Sequence, residues 1–483
     1  MFPEELNIPM DDSVEEVAIV RRYEDMLHHN KSDYFEEDEF ELIIDYYMQN
    51  ENEEEALQAV ALGCRQYPFS PEIKLKHVQI LLQQGNTDAA LQLLQTVELY
   101  SYNSPELFFL KGIAATQTGD IQSALQFFRN CENTSYGEDR LLYLMNIGAG
   151  LIGIEEYAHA LPYIEKALLE VSDDLELIND AAFCYERLGM LEKSMSLYES
   201  YVKKSPYNAG AWYNLGTIYA RQHEYTQAAQ AFQFSITLDE KNTSAYYNLA
   251  TTFTQQEKYE EAIETYNQFL QLENIKEDEA PWAAYIAIGE CYNCLNRYAE
   301  AIIPLLKAVE LNSNIAEAHF ALSIAFFNLR NCDEALEYIR QAVLINNKVA
   351  AYWSMMGRVL MELDRSEIAM NVLEHAVMLD AKEIDAWLGM ADIVSEIHAE
   401  KAINILTAAY RDNAEEPIIS YRLAVFHFIA EHDMAWREWL ERAWELNKDM
   451  IEHFFVDCAA ALELPELKEK IDYYNKKKDE KND

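Results

Sequence analysis

The chain has 483 residues, half of them hydrophobic, and 84 acidic against 38 basic side chains give it a formal net charge of −46. With only 14 Gly and 11 Pro it is too poor in turn formers for an all-β fold. Its negative field disfavours nucleic-acid backbones and anionic membranes and favours basic partners, or serves only to keep a large surface soluble.

Residues 1–36 are expected to form an acidic N-terminal segment with a capping helix. The first 55 residues hold 19 acidic and 3 basic side chains. Ser13 is placed to cap a helix from Val14 to about His28, with Glu16 closing a capping box. The opening MFPEELNIPMDDSVEEVAIV has neither the basic start nor the continuous apolar run of a secretory signal. No later run reaches the ~20 apolar residues of a membrane span. His28 and His29 are adjacent, point to different helix faces, and make a poor metal pair. The run Glu36–Glu39 lacks the spaced ligands and turn glycine of a calcium loop.

From Glu37 onward the apolar pattern repeats with a period near 34 residues. Helix pairs begin near Glu37, Pro71, Pro105 and Leu141, with Ala56, Ala90, Ala124 and Ala160 as the small residues of each second helix. His77 and Lys111 stand where an apolar residue is usual. The segment ENTSYGEDR after Cys131 adds about two residues to the period and predicts a longer turn. The next pair carries Ile178, Ala181, Ala182, Tyr185, Ser194 and Tyr198, closed by Pro206. The clearest unit follows, AWYNLGTIYARQHEYTQAAQAFQFSITLDE, with Trp212, Leu215, Gly216, Tyr219, Ala228 and Phe232. Tyr246, Leu249, Ala250, Phe253, Ala262 and Tyr266 repeat it one period later.

Residues 273–281 form a longer linker that adds about five residues, either a hinge or a plain surface loop. Pairs resume near Trp282, Ala316, Ala350, Ile384 and Pro417, with Ala301, Ala335, Ala369 and Ala402 as small residues. Cys291 and Cys294 form a lone C-x2-C inside a helix, without the second ligand pair that zinc needs. The seven cysteines are otherwise scattered, as expected of small core residues in a reducing, cytoplasmic setting. Trp436 stands where the last pair should have a small residue. Residues 449–470 read as a C-terminal capping helix and 471–483 as a polar tail, in which Lys476–Lys478 is a solvated run.

The unit with Trp212, Leu215, Gly216 and Tyr219, then Ala228 and Phe232, is W-x2-L-G-x2-Y followed by A-x3-F. It resembles the tetratricopeptide repeat (TPR) family. The resemblance spans Glu37 to Lys448, with units 1–7 in 37–272 and units 8–12 in 282–448. It implies an all-α fold, a right-handed superhelical solenoid of about twelve helix-turn-helix units with N- and C-terminal capping helices. Small residues let paired backbones approach, large ones fill the remaining space, and stacking buries the face that one pair leaves open.

What the resemblance implies for function is a non-enzymatic scaffold that holds an extended peptide in the concave groove lined by the first helices. By repeat phase that face carries Asn146, Asn179, Asp180, Tyr213, Asn214, Thr217, Arg221, Tyr247, Asn248 and Thr251. Carboxamides at repeat spacing can pair with successive peptide amides, and Tyr suits a binding hot spot; equally, the Asn can bond within the stack. Asn214→Ala with Asn248→Ala is thus expected to remove partner capture and leave melting unchanged. Arg187, Arg221 and Arg358 lie in different units and make no compact carboxylate clamp. Expected partners are proteins or peptides, neutral or basic rather than acidic, with no nucleic acid, no membrane insertion, no cofactor and no metal. No phosphate-binding loop, dinucleotide fingerprint, nucleophile elbow or H-E-x-x-H pair occurs. The expected state is a monomer or weak homo-oligomer. The alternative is a self-associating structural protein that stacks through the aromatic end around Trp436, Trp439 and Trp444.

Overall fold

The computed structural model describes residues 12–29, 33–101, 103–272, 280–395 and 398–482. Among them the chain is all-α, with no strand. It divides into two compact units, Met1–Gln222 and His223–Asp483.

The first unit opens with α1 (Asp12–His28). Pairs follow: α2 (Glu37–Gln49) with α3 (Glu53–Gln66), α4 (Pro71–Gln83) with α5 (Thr87–Glu98), and α6 (Pro105–Gln117) with α7 (Ile121–Thr134). Then come α8 (Gly137–Gly153) with α9 (Tyr157–Glu170), α10 (Leu175–Arg187) with α11 (Leu191–Lys204), and α12 (Ala209–Arg221). The second unit starts at α13 (Tyr225–Leu238) and continues with α14 (Thr243–Gln255) and α15 (Tyr259–Leu270), α16 (Pro281–Cys294) and α17 (Tyr298–Leu311), and α18 (Ala316–Asn328) and α19 (Cys332–Ile345). Its last pairs are α20 (Ala350–Glu362) with α21 (Ser366–Leu379), α22 (Ile384–Ser395) with α23 (Ala399–Asp412), and α24 (Pro417–Ile429) with α25 (Asp433–Leu446). Short turns, α26 (Glu452–Phe455) and α27 (Lys468–Asn482) complete it.

Within each unit a first helix packs on its own second helix, and that second helix packs on the next first helix, as α3 on α4 and α17 on α18. Successive first helices also touch, α2 with α4 and α16 with α18. The second-helix alanines Ala56, Ala90, Ala124, Ala160, Ala262, Ala301, Ala335, Ala369 and Ala402 are all fully buried. The closest approach lies sixteen residues apart within a pair. A Cβ built on Gly148 would stand 2.6 Å from Ile164 Cγ1, and one on Gly112, Gly289 or Gly357 would overlap Phe128, Leu305 or Leu373. Hydrogen at these positions lets large second-helix side chains press against the first-helix backbone.

The turns within pairs are nearly identical. Residues 51, 85, 119, 155 and 189 in the first unit, and 257, 296, 330, 364 and 431 in the second, take positive φ. The next N–H then reaches back to the helix, as Asn52 N to Tyr47 O at 2.9 Å and Arg365 N to Leu360 O at 2.9 Å. This closes the carbonyls that a helix end leaves open. Side-chain caps mark the starts of α4, α6, α10, α12 and α14, where Ser70, Ser104, Asp174, Asn208 and Asn242 accept from backbone N–H groups.

Several expectations need adjustment. The two extra residues after Cys131 do not lengthen a turn. They extend α8 back to Gly137, where Arg140 bridges Glu132 at 3.2 Å and Glu170 at 2.5 Å. α1 is present, and its Val20, Tyr23 and Met26 are buried against Phe40, Ile43 and Tyr47. The Ser13–Glu16 capping box falls outside the described side chains, and most of the 273–281 linker falls outside the described residues. Lys111 stands at its apolar position with its amine 5.5 Å from the Phe127 ring centre and paired with Glu98 at 2.6 Å.

Residues 449–470 are not one helix. Short helical turns at 448–450, 452–455, 459–463 and 465–467 break the run, and Pro465 prevents continuation across the last break. The breaks fold Phe454 and Phe455 into the core beside α24. The expected tail 471–483 is helical to Asn482, because α27 packs: Tyr473 meets Trp444 edge-on, Tyr474 meets Phe455, and Lys470 pairs with Glu441 at 2.7 Å. Trp436 is buried, stacked on Phe454, and Trp439 lies edge-on against Tyr410. Of the aromatic end named for the stacking alternative, Trp436 is core, while Trp439 and Trp444 are half-buried against it.

Candidate functional site

In the first unit the expected groove residues come from α8, α10 and α12. Asn214 Nδ2 donates to Asn179 Oδ1 at 2.9 Å and to Tyr198 OH at 3.2 Å, while Tyr198 OH donates to Asn179 Oδ1 at 2.7 Å. The carboxamides of neighbouring first helices thus close a triangle with a buried second-helix hydroxyl. Burial pushes the Tyr198 phenol up and keeps it a donor. The expectation that Asn214→Ala leaves melting unchanged is corrected by this network, since the substitution strips two half-buried oxygens of a donor. Asn146 is exposed on α8. Asp180 is half-buried, and burial with Glu176 and Asp174 nearby holds its carboxyl above the usual range. Thr217 Oγ1 donates to Tyr213 O at 3.1 Å, and Arg221 pairs with Glu186 on the preceding first helix, α10. Arg187 lies over the Tyr157 ring at 5.1 Å.

The same first-helix face carries half-buried acids toward the N-terminus. Burial raises the Glu41 carboxyl to about 7, against the pull of Lys76, and also raises Glu106. Lys76 Nζ holds both oxygens of Asp45 at 2.7 Å.

In the second unit the expected residues lie on α14. Tyr247 makes edge contacts with Tyr266 and Phe269, both at 5.6 Å between centroids. Thr251 Oγ1 donates to Tyr247 O at 3.0 Å and lies 3.0 Å from Tyr266 OH. Asn248 stands between them on the same helix, its carbonyl accepting from Thr252.

A longer groove further along, over α18, α20 and α22, was missed. Two adjoining cavities of about 230 and 860 Å³ share Phe327, Asn328, Arg358 and Asp385. The smaller cavity is mainly apolar, with Phe320, Ile324 and Met355, while the larger one is mainly polar with Met361, Leu388 and Ile393 among its walls. The rim is acidic, with Glu362, Asp364, Glu383, Asp385 and Asp392; Arg330 and Arg358 line it too, and Arg422 reaches Asp392 from α24. The first two arginines are also paired within the chain, Arg330 with Glu362 at 3.2 Å and Arg358 with Asp385 at 3.7 Å. A signal for this groove existed. Phe320, Ser354 and Leu388 hold the repeat phase of Tyr213 and Tyr247, and Ile324, Arg358 and Asp392 that of Thr217 and Thr251.

Among the described residues no group of three or more His, Cys, Asp or Glu is placed to hold a metal. Cys291 is buried, its thiol pushed up to about 11 by burial and 3.6 Å from Thr254 Oγ1, whereas Cys294 is exposed. No described helix is long and apolar enough to cross a membrane.

Family comparisons match tetratricopeptide repeat models at residues 75–132, 197–230, 242–314 and 350–383. The first of these includes both His77 and Lys111. Among solved structures, the TPR protein YrrB, described as having an unusual peptide-binding site, is 21% identical; it covers 39% of this chain and 95% of its own, with a TM-score of 0.34. The Cut9–Hcn1 hetero-tetramer of the APC/C aligns at 16% identity over 80% of this chain and 89% of that one, TM-score 0.38. The C-terminal part of a TPR repeat-containing protein from Cytophaga hutchinsonii aligns at 17% identity over 50% and 98%, TM-score 0.41. No curated protein sequence matches the chain.

Proposed function

Since the chain is a tetratricopeptide repeat protein, we propose that it is a non-catalytic scaffold that holds an extended, neutral or basic segment of a partner protein along its first-helix face. The observation that carries this reading is the groove over α18, α20 and α22, apolar in its smaller cavity and acidic along its rim. The apolar cavity supplies affinity through buried area, while the rim selects charge and speeds encounter. Asn179 and Asn214 already bond to each other, so their part is to set the spacing of neighbouring helices. The same reading puts the protein in the cytoplasm, where the protonated thiols of Cys131, Cys184 and Cys458 stay reduced.

A photo-crosslinking residue at Leu388, inside the groove, should trap polypeptide in extracts of the native host. One at Leu344, 79% exposed on the second helix α19, should not. Phe327→Ala should remove the Leu388 product, and added salt should weaken it. Equal trapping at both positions, or a product indifferent to Phe327→Ala, overturns the reading.

A further inference from the structure

We propose that the smaller cavity between α18, α20 and α22 is a socket for one long cationic side chain, an arginine or lysine of a bound polypeptide, received by Glu383, Asp385 and Ser354. This rests on the scaffold reading and names the chemistry of its guest.

The cavity, about 230 Å³, is the size of a side chain rather than of a folded element. Its walls are Phe320, Ile324, Phe327 and Met355, which suit a methylene stem. Its acceptors are the Glu383 and Asp385 carboxylates, beside Asn328, Ser354 and the one cation, Arg358. Ser354 is 2% exposed, and its hydroxyl faces the Glu383 carboxyl, whose rise it opposes, without reaching full hydrogen-bond geometry. Tyr23, Ser194, Ser323 and Ser420 also have buried hydroxyls without a partner, and Ser354 differs from them in lining this cavity; each such hydroxyl forfeits the hydrogen bonds it had in water. An N–H donor arriving from a guest would satisfy it. Glu383 is half-buried; burial lifts its carboxyl above the usual range, and Asp385 and Asp380 add to the rise. A carboxyl in that state gains from any cation that enters.

The chain already displays the matching chemistry at the mouth of the socket. The Arg358 guanidinium lies 5.2 Å from the Phe327 ring centre and 3.7 Å from Asp385. That separation is too long for a hydrogen bond, so Asp385 keeps room for a closer donor. A guest cation reaching Asp385 would therefore displace the Arg358 guanidinium from a 3.7 Å ion pair rather than from a hydrogen bond. An anionic guest would meet Glu383 and Asp385 with one offsetting arginine and is excluded.

The test uses the full chain labelled with 13C at methionine methyls, since Met355 is in the socket wall. Three probes are titrated: Nα-acetyl-arginine methylamide, its lysine counterpart and its citrulline counterpart, which has nearly the shape of arginine without the charge. The Met355 signal should shift saturably with arginine or lysine and bind citrulline at least about tenfold more weakly. Arginine stronger than lysine assigns a guanidinium guest, and equal binding assigns any long cation. Glu383→Gln should weaken the cationic probe by a similar factor. The proposal is overturned if Met355 does not move, if citrulline matches arginine, or if Glu383→Gln changes nothing. Probe comparisons on the unaltered chain keep the test decisive even if a variant fails to fold. Trapping at Leu388 with no Met355 response would refute the socket alone; a Met355 response without trapping would refute the scaffold alone.

Discussion

Asn214 donates to two oxygens at once, and one of them, on Tyr198, is carried by a buried side chain. Alanine there leaves both short of a donor in a partly dry place, which costs about 1–3 kcal/mol. Asn214→Ala should lower the midpoint of urea unfolding measurably, while Asn146→Ala, exposed on α8, should leave it unchanged. Identical midpoints would mean that the triangle contributes nothing. The sequence shows the Asn ladder and both uses open to it. Choosing between them needs the position of Tyr198, nineteen residues from Asn179 and sixteen from Asn214, and that position is fixed by packing between helices. Ser354 makes the same point in reverse. In sequence it is one more small helix residue; only the fold leaves its hydroxyl buried beside Glu383 without full hydrogen-bond geometry.

Each helix pair is held at a distance by the side chain the first helix lacks. A methyl on Gly357 would lie within the Leu373 side chain, so either the helices separate or Leu373 leaves its rotamer. Gly357→Ala should destabilise the second unit by about 1–3 kcal/mol. Gly153, at the end of α8, has nothing within 4 Å of such a methyl. Gly153→Ala should be neutral or gain up to about 1 kcal/mol by narrowing the unfolded ensemble. Thermal melting of the two variants checks the pair, and equal loss in both would refute the account. These elements were legible before folding was considered: the first helices begin at Glu37, Pro71, Pro105, Ala209, Ala316, Ala350, Ile384 and Pro417, where the phase put them. The exception, α8, starts four residues earlier than Leu141, because Arg140 finds Glu132 and Glu170 on flanking helices. Such long-range pairing leaves no local trace.

At the scale of the whole chain, a stack of pairs always presents an open apolar face at its end. In the second unit α26 and α27 cover that face with Phe454, Phe455, Tyr473 and Tyr474. A chain ended at Leu467 should bare Trp444 and Phe455, melt at lower temperature and self-associate with rising concentration. Light scattering at several concentrations decides this, and a truncated chain that stays monomeric with unchanged melting counts against the covering role. The covering went unread because KEKIDYYNKKKDEKN is polar overall and lacks a clear apolar stripe; its two tyrosines and the Lys470 stem make the contact. By itself the sequence determined the repeat, its phase, the helix pairs and the acidity, because these follow from local periodicity and composition. Which first-helix residues bond within the stack, which line the groove over α18 to α22, and how the C-terminal end is closed were decided only in the tertiary structure. Each depends on atoms brought together from different periods, and a repeat seen along one dimension holds no record of which of its copies will touch.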